Sequence, residues 1–174
     1  MRDWIPISTS PKGRLVLAAV KMFGARPFDE VGVAELSAAA QVTTGALYHH
    51  FGSKLGLYTF VREDVERRLL DRMEGALAVE ESDRAVAAMS ALLVGLDFAV
   101  RQDFLHILGD PPAGTEHDRL AEMLSLRAVP TTPVLGRLLA AAWRAALAAI
   151  ADGAEVERVR AALGALRLQL LDEE

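Results

Sequence analysis

Apolar residues in this chain return at intervals of three and four, and no stretch alternates β-branched with polar residues between turn signals. That periodicity builds helices with one apolar face and disfavours sheets. Alanine and leucine are abundant while aromatics make up only 6%, so the expected fold class is all-α. With 52% apolar and 25% charged residues over 174 positions, the chain can bury a core and is too apolar to stay disordered. Its length suits one ordinary domain, or a small module joined to a medium one.

There are no cysteines, which excludes disulfide scaffolds, thiolate metal sites and cysteine nucleophiles. The apolar windows Ala85 to Leu96 and Leu138 to Ala151 meet Asp97 and Arg144 before reaching the ~20 residues that cross a bilayer. Leu15 to Val20 is too short for a secretory segment and runs into Lys21. A cytoplasmic protein with no membrane partner is the expectation. The net charge of −5 conceals an asymmetry: residues 1–60 hold six Lys/Arg against four acids, and residues 61–174 hold 13 against 20. A basic head on an acidic body is one way to meet a nucleic acid despite an acidic average.

Ser10 and Pro11 signal the start of a helix reaching about Gly24, with Leu15, Ala18, Ala19, Met22 and Phe23 on one face. Two short helices follow, Val33 to Ala40 and Thr44 to His50, joined by Gln41, Val42 and Thr43. Ser53 caps a long one, about Lys54 to Ala78. Beyond it, Ser82 is placed to cap a helix carrying Val86, Met89, Leu92, Leu93, Leu96 and Val100, and a further piece covers Asp103 to Leu108. Gly109 to Gly114 reads as a loop. Thr115, with Asp118 three residues on, is similar to a capping box opening a helix to Ala128. Thr132 and Pro133 open the next, which Gly153 closes, and the last runs from Glu155 to Leu171.

Two short helices across a tight turn, with a supporting helix before them, are the parts of a helix-turn-helix. Leu36, Ala40, Val42 and Leu47 fit its internal packing, and small Ser37 permits close approach. Thr43 sits at the N-cap of the second helix, where a free N–H and the helix dipole favour phosphate. Leu47 and Phe51 face inward, which turns Thr44, Gly45, Tyr48 and His49 outward. Gly45 allows close backbone approach, and Ala46 offers a methyl for a thymine. His50 shares a side with Leu47 and is expected to pack. Lys54 adds a cation at the next helix start.

The run Thr43-Thr44-Gly45-Ala46-Leu47-Tyr48-His49-His50-Phe51-Gly52-Ser53-Lys54 resembles the recognition-helix signature of TetR-family transcriptional regulators. The likeness extends back through Ala34-Glu35-Leu36-Ser37 and the first helix, over about residues 12–58. It implies a DNA-binding head, residues 1–53, and a helical effector-binding and dimerisation body, residues 54–174. By position, Thr44, Gly45 and Ala46 would meet base edges, and Thr43, Tyr48, His49 and Lys54 would meet phosphates. Two departures stand out. Gln41 occupies the turn where the family usually has glycine, and Val31 and Gly32 replace the threonines that cap the first helix of the motif.

In the body, Met89, Leu93, Phe98, Phe104, Met123 and Trp143 could line a pocket, with Asp97, Asp103 or His106 as its polar anchor. A metal enzyme is disfavoured: Asp103 and His106 form one carboxylate–histidine pair where a di-metal bundle needs two, and His117 has no evident partners. Neither a glycine-rich phosphate loop nor a Gly-x-Ser-x-Gly elbow is present. The last helix carries Val156, Val159, Leu163, Leu166 and Leu170 as a seam, with Ala161, Ala165 and Leu168 on a second face. A helix apolar on two sides needs a second partner, so a homodimer is expected, built also on Leu138, Ala141, Ala145 and Ala148. The expected function is repression at an inverted-repeat operator of double-stranded DNA, relieved by a small-molecule effector, with neither cofactor nor metal. A DNA-binding architectural protein without an effector, or a metal-dependent helical enzyme, is the alternative. Loss of DNA affinity on ligand binding, or turnover, separates the three.

Overall fold

The computed structural model describes residues 9–79, 83–110, 118–128 and 133–166, which form helices and turns with no strand among them. The chain divides into two compact units, residues 1–65 and 66–174.

The first unit begins with α1 (Pro11–Ala25), where the Ser10 hydroxyl accepts the Gly13 N–H at 2.9 Å and Pro11 spends no useful donor. Leu15, Val16, Ala19 and Phe23 are its buried stripe. Phe23 gathers Phe28 and Tyr58 around it at ring distances of 5.8 and 5.0 Å, and Phe28 meets Tyr58 at 4.9 Å. A 3-10 turn at Phe28–Glu30 leads to α2 (Val33–Ala39), then α3 (Thr44–Phe51) and the start of α4 (Lys54–Val79). Gly32 stands at the N-cap of α2 and, having no side chain, makes no cap bond to the helix, while Glu35 turns to Arg26 at 2.5 Å.

The second unit contains the rest of α4, with Leu69 and Met73 buried, and α5 (Arg84–Arg101). Gly95 is where these two helices touch: a Cβ there would lie 3.0 Å from Met73 Sδ and 3.2 Å from Leu69. The cap of α5 is Asp83, whose carboxylate accepts the N–H groups of Ala85 and Val86. Ser82, expected in that role, lies outside the described residues. Asp103 turns the chain with φ 58°, so α6 (Leu105–Gly109) starts later than its sequence signal.

Asp118 is likewise a cap rather than the fourth residue of a box. It accepts the Ala121 N–H at 3.1 Å and opens α7 (Arg119–Met123), while Thr115 falls outside the described residues. A π-helical turn, Leu124–Ala128, continues α7. In α8 (Pro133–Ala151), Trp143 is fully buried and donates its indole N–H to Leu92 O at 3.0 Å. The Val134–Ala151 stretch, mean hydropathy 1.6, is by length and composition able to span a bilayer. Here one side of it packs on α6, α7 and the π-turn. Gly153, φ 97°, ends the excursion before α9 (Val156–Gly164). This helix stops short of the expected Leu171: the Ala165 N–H closes back on Ala161 O and Ala162 O, and residues 167–171 are outside the described set.

Candidate nucleic-acid interface

The turn between α2 and α3 is held by two hydrogen bonds and one left-handed residue, which set the angle of the second helix. The Val42 N–H donates to Ser37 O at 2.9 Å, Gln41 takes φ 54°, and Arg14 Nε donates to Ala40 O at 2.9 Å. Other Arg14 nitrogens reach Thr9 O at 2.8 Å and Gln41 O at 3.5 Å. Arg14 therefore neutralises the carbonyl end of α2 from α1, a role with no signal in the local sequence pattern. Buried Ser37 lets the helices close, its hydroxyl left without a partner. At the far end, Gly52 takes φ 73°, and Gly56 brings α4 so close that a Cβ would lie 2.1 Å from Phe51 O. Only glycine permits that junction.

Thr43 Oγ1 accepts the Ala46 N–H at 3.3 Å and so caps α3. Leu47 is fully buried, which turns Thr44, Gly45, Tyr48 and His49 to solvent together, with Ala46 half-buried at their edge. Tyr48 is 54% exposed. The protein itself does not require a glycine at 45, where a Cβ would meet only Thr43 Oγ1 at an ordinary 3.7 Å. His50 corrects its expectation: it is exposed, 5.0 Å ring to ring from His49, because α3 ends at Gly52 before another element can cover that side.

Lys54 is partly engaged within its own unit. Its ammonium donates to Phe28 O at 3.0 Å and Val31 O at 3.1 Å and lies 4.0 Å from the Phe28 ring centre. An ammonium has three donors, so one remains for an outside acceptor. Lys12 stands over the rings of Phe60 and Phe51 at 5.0 and 5.7 Å.

In the body, four of the pocket candidates are interior side chains: Trp143, Phe98, Phe104 and Met123. Phe98 and Phe104 meet edge to face at 5.6 Å, with the Arg72 guanidinium 4.3 Å from the Phe98 ring. Met89, Leu93 and His106 are half-buried and Asp103 is exposed. Asp97 is engaged by Arg160 of α9 and, at 3.6 Å, by Arg101. No group of three or more His, Asp or Glu is disposed to hold a metal among the described residues.

A separate groove of about 880 Å³ runs between α7, the π-turn and α8, and includes Leu126, Val134, Leu138 and Ala141. At one end, Arg144 grips Asp118 bidentately at 2.6 and 2.7 Å. Burial works against the charge of Asp118. The Arg144 hydrogen bond, the Ala121 and Leu120 N–H groups and the guanidinium charge outweigh it and hold the carboxyl below the usual range. Of the expected interface residues, Leu138, Ala141, Ala145 and Leu166 are exposed, and Val156 and Val159 are half-buried. Leu163 differs: at 4% exposure it is drawn into its own body, since α9 folds back on α5. Leu170 lies outside the described residues.

Residues 15–59 match the sequence profile described as bacterial regulatory proteins, tetR family. No curated protein matches the sequence. Among solved structures, a TetR-family transcriptional regulator from Pectobacterium atrosepticum is similar with a TM-score of 0.67 at 23% identity, over 88% of each chain. A TetR-like regulator from Rhodococcus sp. RHA1 gives 0.64 at 20% identity, over 92% of this chain and 94% of the other. A tetR-family protein from Shewanella sp. PV-4 gives 0.63 at 19%, over 88% and 94%. At these identities the likeness is one of fold.

Proposed function

This chain carries a TetR-family head on the fold of that family's regulators, and on that premise we propose that it is a sequence-specific repressor that acts in the cytoplasm as a homodimer and is released from DNA by a small-molecule effector. The observation that carries the reading is the outward face of α3. Polar and small side chains are gathered there, and a glycine is kept at 45 where the fold has no use for one. Thr44, Gly45 and Ala46 read base edges in the major groove. Thr43, Tyr48, His49 and the third N–H of Lys54 hold phosphates.

One short helix reads few bases, so a two-fold pair of heads on an inverted repeat doubles the site, with half-site centres about one or two turns of ~34 Å apart. The pair forms through α8 and α9, where Leu138, Ala141, Ala145, Val156, Val159 and Leu166 present the surface. The effector enters the body near Met89, Leu93, Phe98, Phe104, Met123 and Trp143. Asp97 and exposed Asp103 leave half-buried His106 as the favoured anchor. Selection from random duplexes tests the reading: enrichment of an inverted repeat is expected, and failure to enrich any sequence overturns it. Tyr48→Phe and Lys54→Ala weaken binding to all sequences, whereas Thr44→Ala relaxes choice at one or two positions.

A further inference from the structure

Within the head, a groove of about 450 Å³ lies between α1 and the end of α2, and its wall includes the side chains that fix the turn before α3. Leu17, Met22 and Ala39 give it an apolar floor, and Leu17 is the one large apolar side chain of α1 left exposed, at 48%. Arg14, Lys21 and Gln41 form the rim.

That rim is cationic. Arg14 donates to the carbonyls of Thr9, Ala40 and Gln41, all neutral acceptors, so its charge meets no carboxylate there and two of its five N–H groups remain. Lys21 is exposed and makes no hydrogen bond or ion pair among the described residues, and none of those lining the groove is acidic. The two cations are seven residues apart on α1, two turns or about 10 Å along its axis, with Leu17 between them. A cationic occupant is repelled, an inorganic anion leaves the apolar floor wet, and a neutral apolar molecule leaves both charges unmet. A protein partner needs a much broader contact, whereas ~300–1,000 Å³ is the range of small-molecule sites. A linear molecule with an apolar middle and a carboxylate at each end meets floor and rim together.

We infer that this groove binds an aliphatic dicarboxylate, one end on Arg14, the other on Lys21 and the chain across Leu17. The Arg14 end bears on the turn. A carboxylate that draws the guanidinium from the carbonyls of Ala40 and Gln41 loosens the turn at the residue with φ 54°, so occupancy lowers operator affinity. This second half rests on the proposed DNA binding; the site itself does not.

Calorimetry on the full chain, with the Met22 methyl signal followed by NMR, tests the site with suberate as the probe. Suberate is expected to bind and to shift Met22, with succinate, too short to span, and octanoate, lacking one charge, at least about tenfold weaker. Lys21→Glu, checked for folding by circular dichroism, should weaken suberate by a similar factor, and Lys21→Arg should keep it. No suberate binding, equal binding of octanoate, or binding that survives Lys21→Glu overturns the site. In fluorescence anisotropy, suberate should lower operator affinity of the parent protein beyond an equal concentration of succinate, which matches its charge, and should not do so in Lys21→Glu. Suberate bound with operator affinity unchanged overturns the coupling. A chain that binds suberate but enriches no DNA sequence overturns the proposed function and leaves the site standing.

Discussion

Gly45 is the residue at which the protein's own packing and its proposed task part company. Replacing it with alanine meets no clash in the fold and removes a poor helix former, so thermal stability should hold or rise by up to ~1 kcal/mol. In the proposed complex the added methyl would stand where the backbone approaches DNA. Thermal melts and fluorescence anisotropy on a selected operator should therefore move in opposite directions, with affinity falling at least tenfold. Gln41 poses the converse case. It holds φ 54° without being glycine, a conformation that strains a residue with a Cβ, and Arg14 keeps it there by binding the carbonyls on either side of its N–H. Gln41→Gly should raise the urea midpoint by an amount equivalent to about 0.5–1 kcal/mol, less than the full strain because glycine also loosens the unfolded chain.

At the scale of elements, α7 and α8 are joined by one ion pair that the apolar pattern of α8 did not foretell. Arg144 has 10% of its side chain exposed and Asp118 30%, so removing the carboxylate strands a nearly buried cation. Asp118→Ala should cost about 2–3 kcal/mol, short of the ~3–5 of a fully buried pair because Asp118 keeps contact with water. Replacing both residues with apolar ones should recover only part of that loss, because Asp118 also caps α7, and a double-mutant cycle in urea measures the coupling. The sign of the pH effect follows from the lowered Asp118 pKa. Its stabilisation is complete above the ordinary carboxylate pKa of 3.8 and is lost as the pH falls through the lower folded value. In Asp118→Asn, acid unfolding between those limits should be shallower than in the parent protein.

At the scale of the whole molecule, residues 54–65 of α4 belong to the head unit and 66–79 to the body, so the helix is the covalent route between the two proposed sites. An effector that binds the body should lower operator affinity by 5- to 150-fold, a coupling of ~1–3 kcal/mol, and the operator should weaken effector binding by the same factor. Titrating each ligand in the presence and absence of the other checks both halves. Ligands that raise body stability and leave operator affinity unchanged would remove α4 from the mechanism.

The helices of the head and its outward face were legible from sequence because they rest on local chemistry. Ser10 and Thr43 cap within a turn, Pro11 starts a helix, and the spacing of Leu47 and Phe51 decides which way Thr44 and Tyr48 point. The TetR-like run from Thr43 to Lys54 added what spacing alone does not carry, the partner proposed for that face. What only the tertiary structure decided are choices between partners distant in sequence. Arg14 reaches the turn at residue 41, Lys54 reaches back to Phe28 and Val31, Asp97 is taken by Arg160, and Leu163 turns inward where its seam pointed to a partner. A side chain's helical face is fixed by a period of 3.6 residues, but whether that face meets its own chain, a second copy or water depends on how the helices pack, and that is set by contacts no local window contains.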